Sequence, residues 1–147
     1  MANTELTNLT PQYLYSLIKS NAGKIEELER STRKHGRELR DIEEEYPLLP
    51  PEADDLSREV QRKGVWVMGG KKKPAYQDKK LRTAVYRDIY MEIKRQYGLI
   101  DDMGHQKSYK KLKRKYLKGA MQVVEDYELP VTLQNEVDDL NELEGME

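Results

Sequence analysis

The sequence predicts an all-α protein, in which an N-terminal helix of coiled-coil type precedes a small domain of about four helices. Hydrophobic residues recur every three or four positions over most of the chain, and no stretch alternates convincingly with a period of two. Only 37% of the 147 residues are hydrophobic, whereas 36% are charged, and the mean hydropathy is -0.94. An average soluble domain has roughly 45–50% apolar and about 25% charged residues. The chain therefore has little core for its length, and we expect part of it to be extended or oligomeric.

The first predicted helix spans residues 10–46 and follows a flexible N-terminus, residues 1–9. Thr10 can act as a hydroxyl N-cap, and Pro11 suits the first helical position. From there a series with alternating steps of four and three follows the helix, which is the spacing of a coiled-coil seam. The series, named the seam below, consists of Leu14, Ile18, Asn21, Ile25, Leu28, Thr32, His35, Leu39, Ile42 and Tyr46.

The seam predicts self-association as a dimer or tetramer. Polar seam residues such as Asn21 cost stability and fix the register or the number of chains. The alternative is a single amphipathic helix that lies on the protein's own C-terminal domain. The residues expected to form the oligomer interface are Leu14, Ile18, Ile25, Leu28, Thr32, His35, Leu39 and Ile42.

Three segments are expected to follow one another after the first helix. They are a proline-rich linker (residues 47–51), a basic helical domain (52–133) and an acidic C-terminal helix or tail (134–147), with a flexible, cationic diglycine loop at 69–74 inside the domain. The longest helix of the domain should run from about Tyr76 to Tyr97 and stop at Gly98. A second, basic helix is expected from Lys107, after a loop at residues 99–106. The core stripe of the longest helix is expected to be Leu81, Val85, Ile89 and Ile93, with tyrosines widening it.

The net charge of -1 conceals a strong segregation of charge. Residues 61–120 contain 18 Lys/Arg and 5 Asp/Glu, or +13, whereas residues 1–60 contain 8 and 13, or -5, and residues 121–147 contain 0 and 9, or -9. A basic segment of this kind is typical of proteins that bind polyanions such as duplex DNA, although a solvated helical surface gives the same count. The residues expected to contact DNA phosphates are Lys71, Lys72, Lys73, Lys107, Lys110, Lys111, Lys113, Arg114 and Lys115.

Several classes of protein and site are excluded or disfavoured. The absence of cysteine rules out disulfides and thiolate metal sites. No hydrophobic run approaches 18 residues, and the N-terminus lacks a signal-peptide pattern, so we expect a cytoplasmic protein with no membrane partner. His35 and His105 have no arranged partners for a metal, and no nucleophile, acid–base pair or phosphate loop has a convincing spacing. We therefore expect no enzyme activity, no catalytic residues, no metal and no cofactor.

The second half of the chain resembles a known family over about Pro51 to Leu133. It is similar to the phage open-reading-frame-six C-terminal domain, which is found at the end of phage antirepressor proteins. This resemblance implies a small helical domain of bacteriophage or prophage origin, working in a bacterial host cell, linked to the lysogenic switch and without known catalytic residues. The residues that carry it are Tyr76, Asp78, Arg82, Val85, Tyr86, Arg87, Asp88, Ile89, Tyr90, Ile93, Lys94, Tyr97, Gly98, Ser108, Tyr109, Lys110 and Leu112, with Ala120 and Val124 on a later helix.

Two functional hypotheses follow from these patterns. In the first, the protein is an oligomeric, antirepressor-like regulator of transcription that contacts duplex DNA through its basic segment. In the second, it is a protein-binding module without direct DNA binding, which captures a repressor or another host or phage protein. The surface for that capture would be the coiled coil, or an apolar face around Trp66 and Met68.

Overall fold

The computed structural model describes residues 10–144, so the expected flexible N-terminus lies outside the described residues. Those residues form six α-helices and no β-strand, which confirms the all-α prediction. The chain divides into two compact units, one ending at Glu43 and the other beginning at Glu44. Among residues 10–144, none of the helices combines the length and the hydrophobicity needed to cross a bilayer.

One long helix, α1 (Pro11–Glu45), forms nearly all of the described part of the first unit, and its last two residues belong to the second. It begins as predicted, because the Thr10 hydroxyl accepts a hydrogen bond from the Tyr13 amide at 3.1 Å and thereby acts as the N-cap. No residue of α1 is buried in the described chain. The apolar residues of the seam are all exposed, from 44% at Leu14 to 68% at Ile18.

The second unit contains five helices around one core. They are α2 (Pro50–Val67), α3 (Pro74–Gln77), α4 (Lys79–Gln96), α5 (Leu117–Asp126) and α6 (Val131–Glu144). α4 contacts each of the other four, so it lies at the centre of the unit. The predicted stripe of α4 is confirmed, since Val85, Ile89 and Ile93 are completely buried and Leu81 is almost so.

The predicted proline-rich linker is shorter in the structure. Pro50 and Pro51 form the first turn of α2, because a proline at the start of a helix has no intrahelical partner to lose. Glu52 completes this turn by accepting a hydrogen bond from the Leu49 amide at 2.9 Å. Only residues 46–49 connect α1 to α2.

The predicted helix at 76–97 is divided at Asp78. The Asp78 carboxylate accepts a hydrogen bond from the Leu81 amide at 2.9 Å, so α4 begins there with its own N-cap. α4 ends where the sequence predicts, because Gly98 takes a positive φ of 70° and the Leu99 amide reaches back to the Lys94 carbonyl at 2.9 Å.

The predicted basic helix from Lys107 is wrong, because residues 107–116 form two 3₁₀ turns joined by extended residues. The turns span Tyr109–Lys111 and Arg114–Tyr116, and the α-helix begins only at Leu117. A continuous helix would bring like charges together at i,i+4, as at Lys107 and Lys111. The observed path instead buries Leu112, which is 1% exposed.

The acidic C-terminal segment forms a helix that packs on the core. On α6, Val137 is buried, with Leu133 and Leu140 half-buried beside it. The Asn141 side chain donates to the Met68 carbonyl and accepts from the Ala75 amide, both at 3.0 Å. These bonds fasten the glycine-rich loop after α2, so that loop is a turn held by α6.

Candidate nucleic-acid interface

A groove of about 650 Å³ lies between the C-terminal end of α4 and residues 107–116, which are called the basic segment from here on. Three lysines, two tyrosines and one serine give it a cationic and aromatic lining. We call it the basic groove; it is lined by Tyr97, Gly98, Leu99, Lys107, Ser108, Lys111, Leu112, Lys113 and Tyr116.

Two stacked tyrosine pairs support the basic segment. Tyr116 stacks on Tyr97, and Tyr109 stacks on Tyr90, with ring centroids 4.8 Å apart in each pair. Burial raises the pKa of both Tyr90 and Tyr97. A Cβ at Gly119 of α5 would overlap the Tyr97 hydroxyl, so this glycine leaves room for the ring. The rings therefore serve packing, as the sequence predicts for tyrosines at helical spacing.

The loop before the basic segment places Lys107 at the rim of the groove. The Lys107 amide donates to the Leu99 carbonyl at 2.8 Å, which closes the loop at its base. Within the loop, the Asp101 carboxylate accepts from the Met103 amide at 2.9 Å and from the His105 amide at 2.8 Å. The His105 backbone bond, together with its ring 3.0 Å away, lowers the pKa of Asp101. The loop is thus held by its own carboxylate.

Backbone pairing and one ion pair attach the far end of the basic segment to the start of the unit. The Leu48 amide donates to the Leu112 carbonyl at 2.9 Å, while the Arg114 amide donates to the Tyr46 carbonyl at 2.9 Å. The Arg114 guanidinium donates to Glu52 at 2.9 Å, and both side chains are less than a third exposed. Glu52 therefore caps α2 and holds the basic segment with the same oxygen.

Glu45 pairs with two lysines of the segment. It accepts a hydrogen bond from Lys113 at 2.6 Å and another from Lys115. These two bonds lower the pKa of Glu45 from its ordinary 4.5 to about 2. The bond to Glu45 likewise raises the pKa of Lys115.

The nine residues predicted to contact DNA therefore fall into three groups. Lys113, Arg114 and Lys115 make ion pairs with the carboxylates just described. Lys107, Lys110 and Lys111 are exposed, and their ammonium groups meet no carboxylate in residues 10–144. The third group, at 71–73, lies after α2.

That third group is not brought to the basic groove. It follows the C-terminal end of α2, whereas Arg114 meets α2 at Glu52 in its first turn. Fifteen residues of helix separate these two ends, a distance of about 22 Å. Lys71 borders a different groove of about 310 Å³, together with Arg58 and Arg62 of α2.

Sequence reasoning missed the two carboxylates that fasten the segment. Glu45 lies 68 and 70 residues from its partners, and Glu52 lies 62 residues from its own. Glu45 lies in an acidic stretch typical of an exposed helix end, and Glu52 lies in one typical of the first turn of a helix. No local spacing rule connects residues so far apart in the sequence, so no pattern identified these pairs.

The expected apolar face around Trp66 and Met68 does not form as a whole. Met68 is fully buried, while Trp66 is 72% exposed, with the Lys63 ammonium 4.5 Å from the centre of its ring. Within the part of the chain that the structure describes, no three His, Cys, Asp or Glu side chains lie close enough to hold a metal together.

Comparison with family models gives one finding. The model of the ORF6C domain matches residues 17–137, well over half of the chain, and so extends the resemblance from the helical domain into α1. No curated protein matches the chain. No solved structure matches it either. The chain belongs to the ORF6C domain family and is a phage-associated protein.

Proposed function

We propose that this protein is an antirepressor-like regulator of a phage or prophage, which self-associates through α1 and binds duplex DNA through the basic groove. The observation that carries the proposal is the set of unpaired ammonium groups on Lys107, Lys110 and Lys111, next to three cations that are paired. Lysines that meet phosphates release condensed counterions, which supplies affinity for any sequence of DNA. The paired residues hold the segment, and the unpaired ones are available to a ligand.

The aromatic rings of the groove favour a duplex over a single strand. Proteins that bind single strands stack unpaired bases on exposed aromatic faces. Here the rings of Tyr97 and Tyr116 are stacked on each other, as are those of Tyr90 and Tyr109. The groove therefore offers charge to a phosphate backbone and few free ring faces to bases.

The exposed seam supports self-association, with a second copy of α1 as its partner. In a parallel pair in register, each polar seam residue (Asn21, Thr32, His35) faces its own counterpart. An antiparallel pair that matches the whole seam would place Asn21 opposite Leu39 instead. The parallel arrangement avoids burying these polar groups against apolar ones. Two linked grooves would then raise the affinity for DNA through avidity.

The proposed role is non-enzymatic and needs no metal or cofactor. It is exerted on DNA in the cytoplasm of the bacterial host cell. We propose that the protein affects transcription by occupying DNA or by engaging a repressor there.

The test is binding of the full chain to duplex DNA at about 50 mM salt. The variant K107E/K110E/K111E should abolish binding, because it reverses two unpaired charges that line the groove and a third, on Lys110, that lies next to Lys111 in the sequence. A matched control, K19E/K79E/K80E, changes the charge equally at sites on α1 and at the opposite end of α4. Binding that survives in the groove variant, or that is lost equally in the control, would contradict the proposal.

The same exposed seam favours one other candidate, capture of a repressor or another host or phage protein without DNA binding. This candidate predicts a chain that is monomeric by light scattering and shows no affinity for DNA at low salt. Under the main proposal, the chain is oligomeric and binds. A pull-down in which the seam variant I25D/L28D loses the partner would support capture through the coiled coil.

A further inference from the structure

α1 carries a second cationic surface, which the overall charge of -5 for residues 1–60 conceals. Residues 30–40 contain five basic residues and one acidic residue. At about 100° per residue, the five basic ones fall within an arc of about 120°, on the side of the helix opposite the seam. All five are exposed, and the acidic residue lies outside that arc. This surface, named the arginine stripe, consists of Arg30, Arg33, Lys34, Arg37 and Arg40.

Carboxylates neutralise little of the positive charge of the arginine stripe. Arg30 lies 3.7 Å from Glu26, but both side chains are about 70% exposed (72% and 69%), and ion pairs of that kind contribute little. Arg33 and Arg40 each direct Nε to a backbone carbonyl of the preceding turn, at 3.4 Å. Lys34 and Arg37 meet no carboxylate among the described residues. The guanidinium groups therefore keep most of their donors for a ligand.

We infer that the arginine stripe binds the phosphodiester backbone of duplex DNA. From Arg30 to Arg40 the stripe is about 15 Å long, a length over which a duplex carries about nine negative charges. The planar fork of arginine suits phosphate oxygens, which it can bind in a bidentate manner. The side chains lie around Gly36, where nothing other than the adjacent residues and the helix's own backbone lies within 4 Å of the missing Cβ. A phosphate can approach the helix backbone closely at that point.

The arginine stripe fits duplex DNA better than an anionic membrane. A helix that lies in a bilayer interface is basic along its polar face, whereas α1 as a whole carries seven basic and eight acidic residues. Self-association leaves the stripe free, because seam pairing directs its positions away from the partner helix. The stripe belongs to the first unit and the basic groove to the second, so each can be tested without the other.

The test measures duplex affinity against salt for the full chain and for R33Q/R37Q/R40Q. Loss of three phosphate contacts should make the slope of log affinity against log salt shallower by about 2.7 for each stripe engaged. With one stripe engaged, the decrease of affinity between about 50 and 200 mM salt should then be about 40-fold smaller than for the unmodified chain. The variant R33K/R37K/R40K keeps the charge and should retain most of the slope. Circular dichroism and light scattering on both variants confirm that α1 and its assembly persist.

The matched control removes three exposed arginines that already face a carboxylate one turn away, and it should leave the slope nearly unchanged. Those arginines pair with Asp55, Glu59 and Glu92, and the control is R58Q/R62Q/R95Q.

Two outcomes separate this inference from the proposed function. If the stripe variant binds like the control while K107E/K110E/K111E loses affinity, the inference is overturned and the basic groove stands. If the stripe variant loses affinity and the groove variant does not, the inference holds and the basic groove fails. Loss of binding to phosphatidylserine vesicles, with DNA binding intact, would also overturn the inference in favour of a membrane.

Discussion

Replacing Glu52 by alanine removes two interactions that share one carboxylate oxygen. The first is the hydrogen bond from the Leu49 amide at the start of α2, and the second is the ion pair with Arg114, each at 2.9 Å. Loss of a helix cap costs about 1 kcal/mol. Hydrogen bonds to charged groups contribute about 1.5–3 kcal/mol, and we take the lower end because the Arg114 side chain, 31% exposed, can turn towards water. We expect E52A to lower the free energy of unfolding by about 2–3 kcal/mol.

The assay is urea denaturation followed by circular dichroism, complemented by thermal unfolding. For a domain of about 100 residues, this loss corresponds to a decrease in Tm of about 10–14 °C. A double-mutant cycle with R114A isolates the ion pair, and its coupling energy should be about 1 kcal/mol. The control cycle uses Glu59 and Arg62, a pair whose side chains are 37% and 78% exposed, and should give less than about 0.5 kcal/mol.

Two results would refute this reasoning. One is a loss below about 0.5 kcal/mol for E52A, which would mean that the carboxylate neither caps α2 nor holds the basic segment. The other is a coupling energy for Glu52 and Arg114 no larger than that of the control cycle. In either case the basic segment would have to be held by its backbone pairing, its tyrosine stacking and the ion pairs with Glu45.

Three further predictions concern pH, packing and assembly. The pKa of Glu45 is lowered to about 2, so the contribution of its ion pairs to stability is complete above pH 4.5 and is lost as the pH falls towards 2. The free energy of unfolding of E45Q, measured by denaturation, should therefore lack this part of the pH dependence. G64A should lower the free energy of unfolding by up to about 2 kcal/mol, because the new Cβ would lie within 2.8 Å of a ring carbon of Tyr86. G36A has nothing within 4 Å of the new Cβ and should raise the free energy of unfolding by up to about 1 kcal/mol. Both changes are measured by denaturation. I25D/L28D should convert the chain to a monomer in light scattering with the second unit still folded, and an unchanged mass would exclude the seam as the interface.

The helical core could be predicted because it depends on local patterns. The buried stripe from Leu81 to Ile93 can be identified from a hydrophobic period of 3.6 residues alone. The end of α4 at Gly98 follows from the left-handed conformation that glycine permits. The same reasoning found the start of α1 from Thr10 and Pro11. Each of these features depends on residues that are close together in the sequence.

The basic segment could not be predicted in the same way, because its conformation depends on distant partners. A backbone hydrogen bond to Leu48 holds Leu112 where its side chain is buried, and Tyr116 stacks on Tyr97 across the groove. Helix propensity favoured a continuous helix, and tertiary contacts overrode it. The division of the cations into paired and unpaired groups followed from Glu45 and Glu52, and no local pattern identified them.

The most direct test of the basic groove is the salt dependence of duplex binding for the unmodified chain and for K107Q/K110Q/K111Q. If these three unpaired lysines of each chain meet phosphates, the slope of log affinity against log salt becomes shallower by about 2.7 for each chain engaged. R58Q/R62Q/R95Q, which removes the same charge from ion-paired arginines, should keep the original slope. Equal slopes for the groove variant and the unmodified chain, or no duplex binding at about 50 mM salt, would contradict the account.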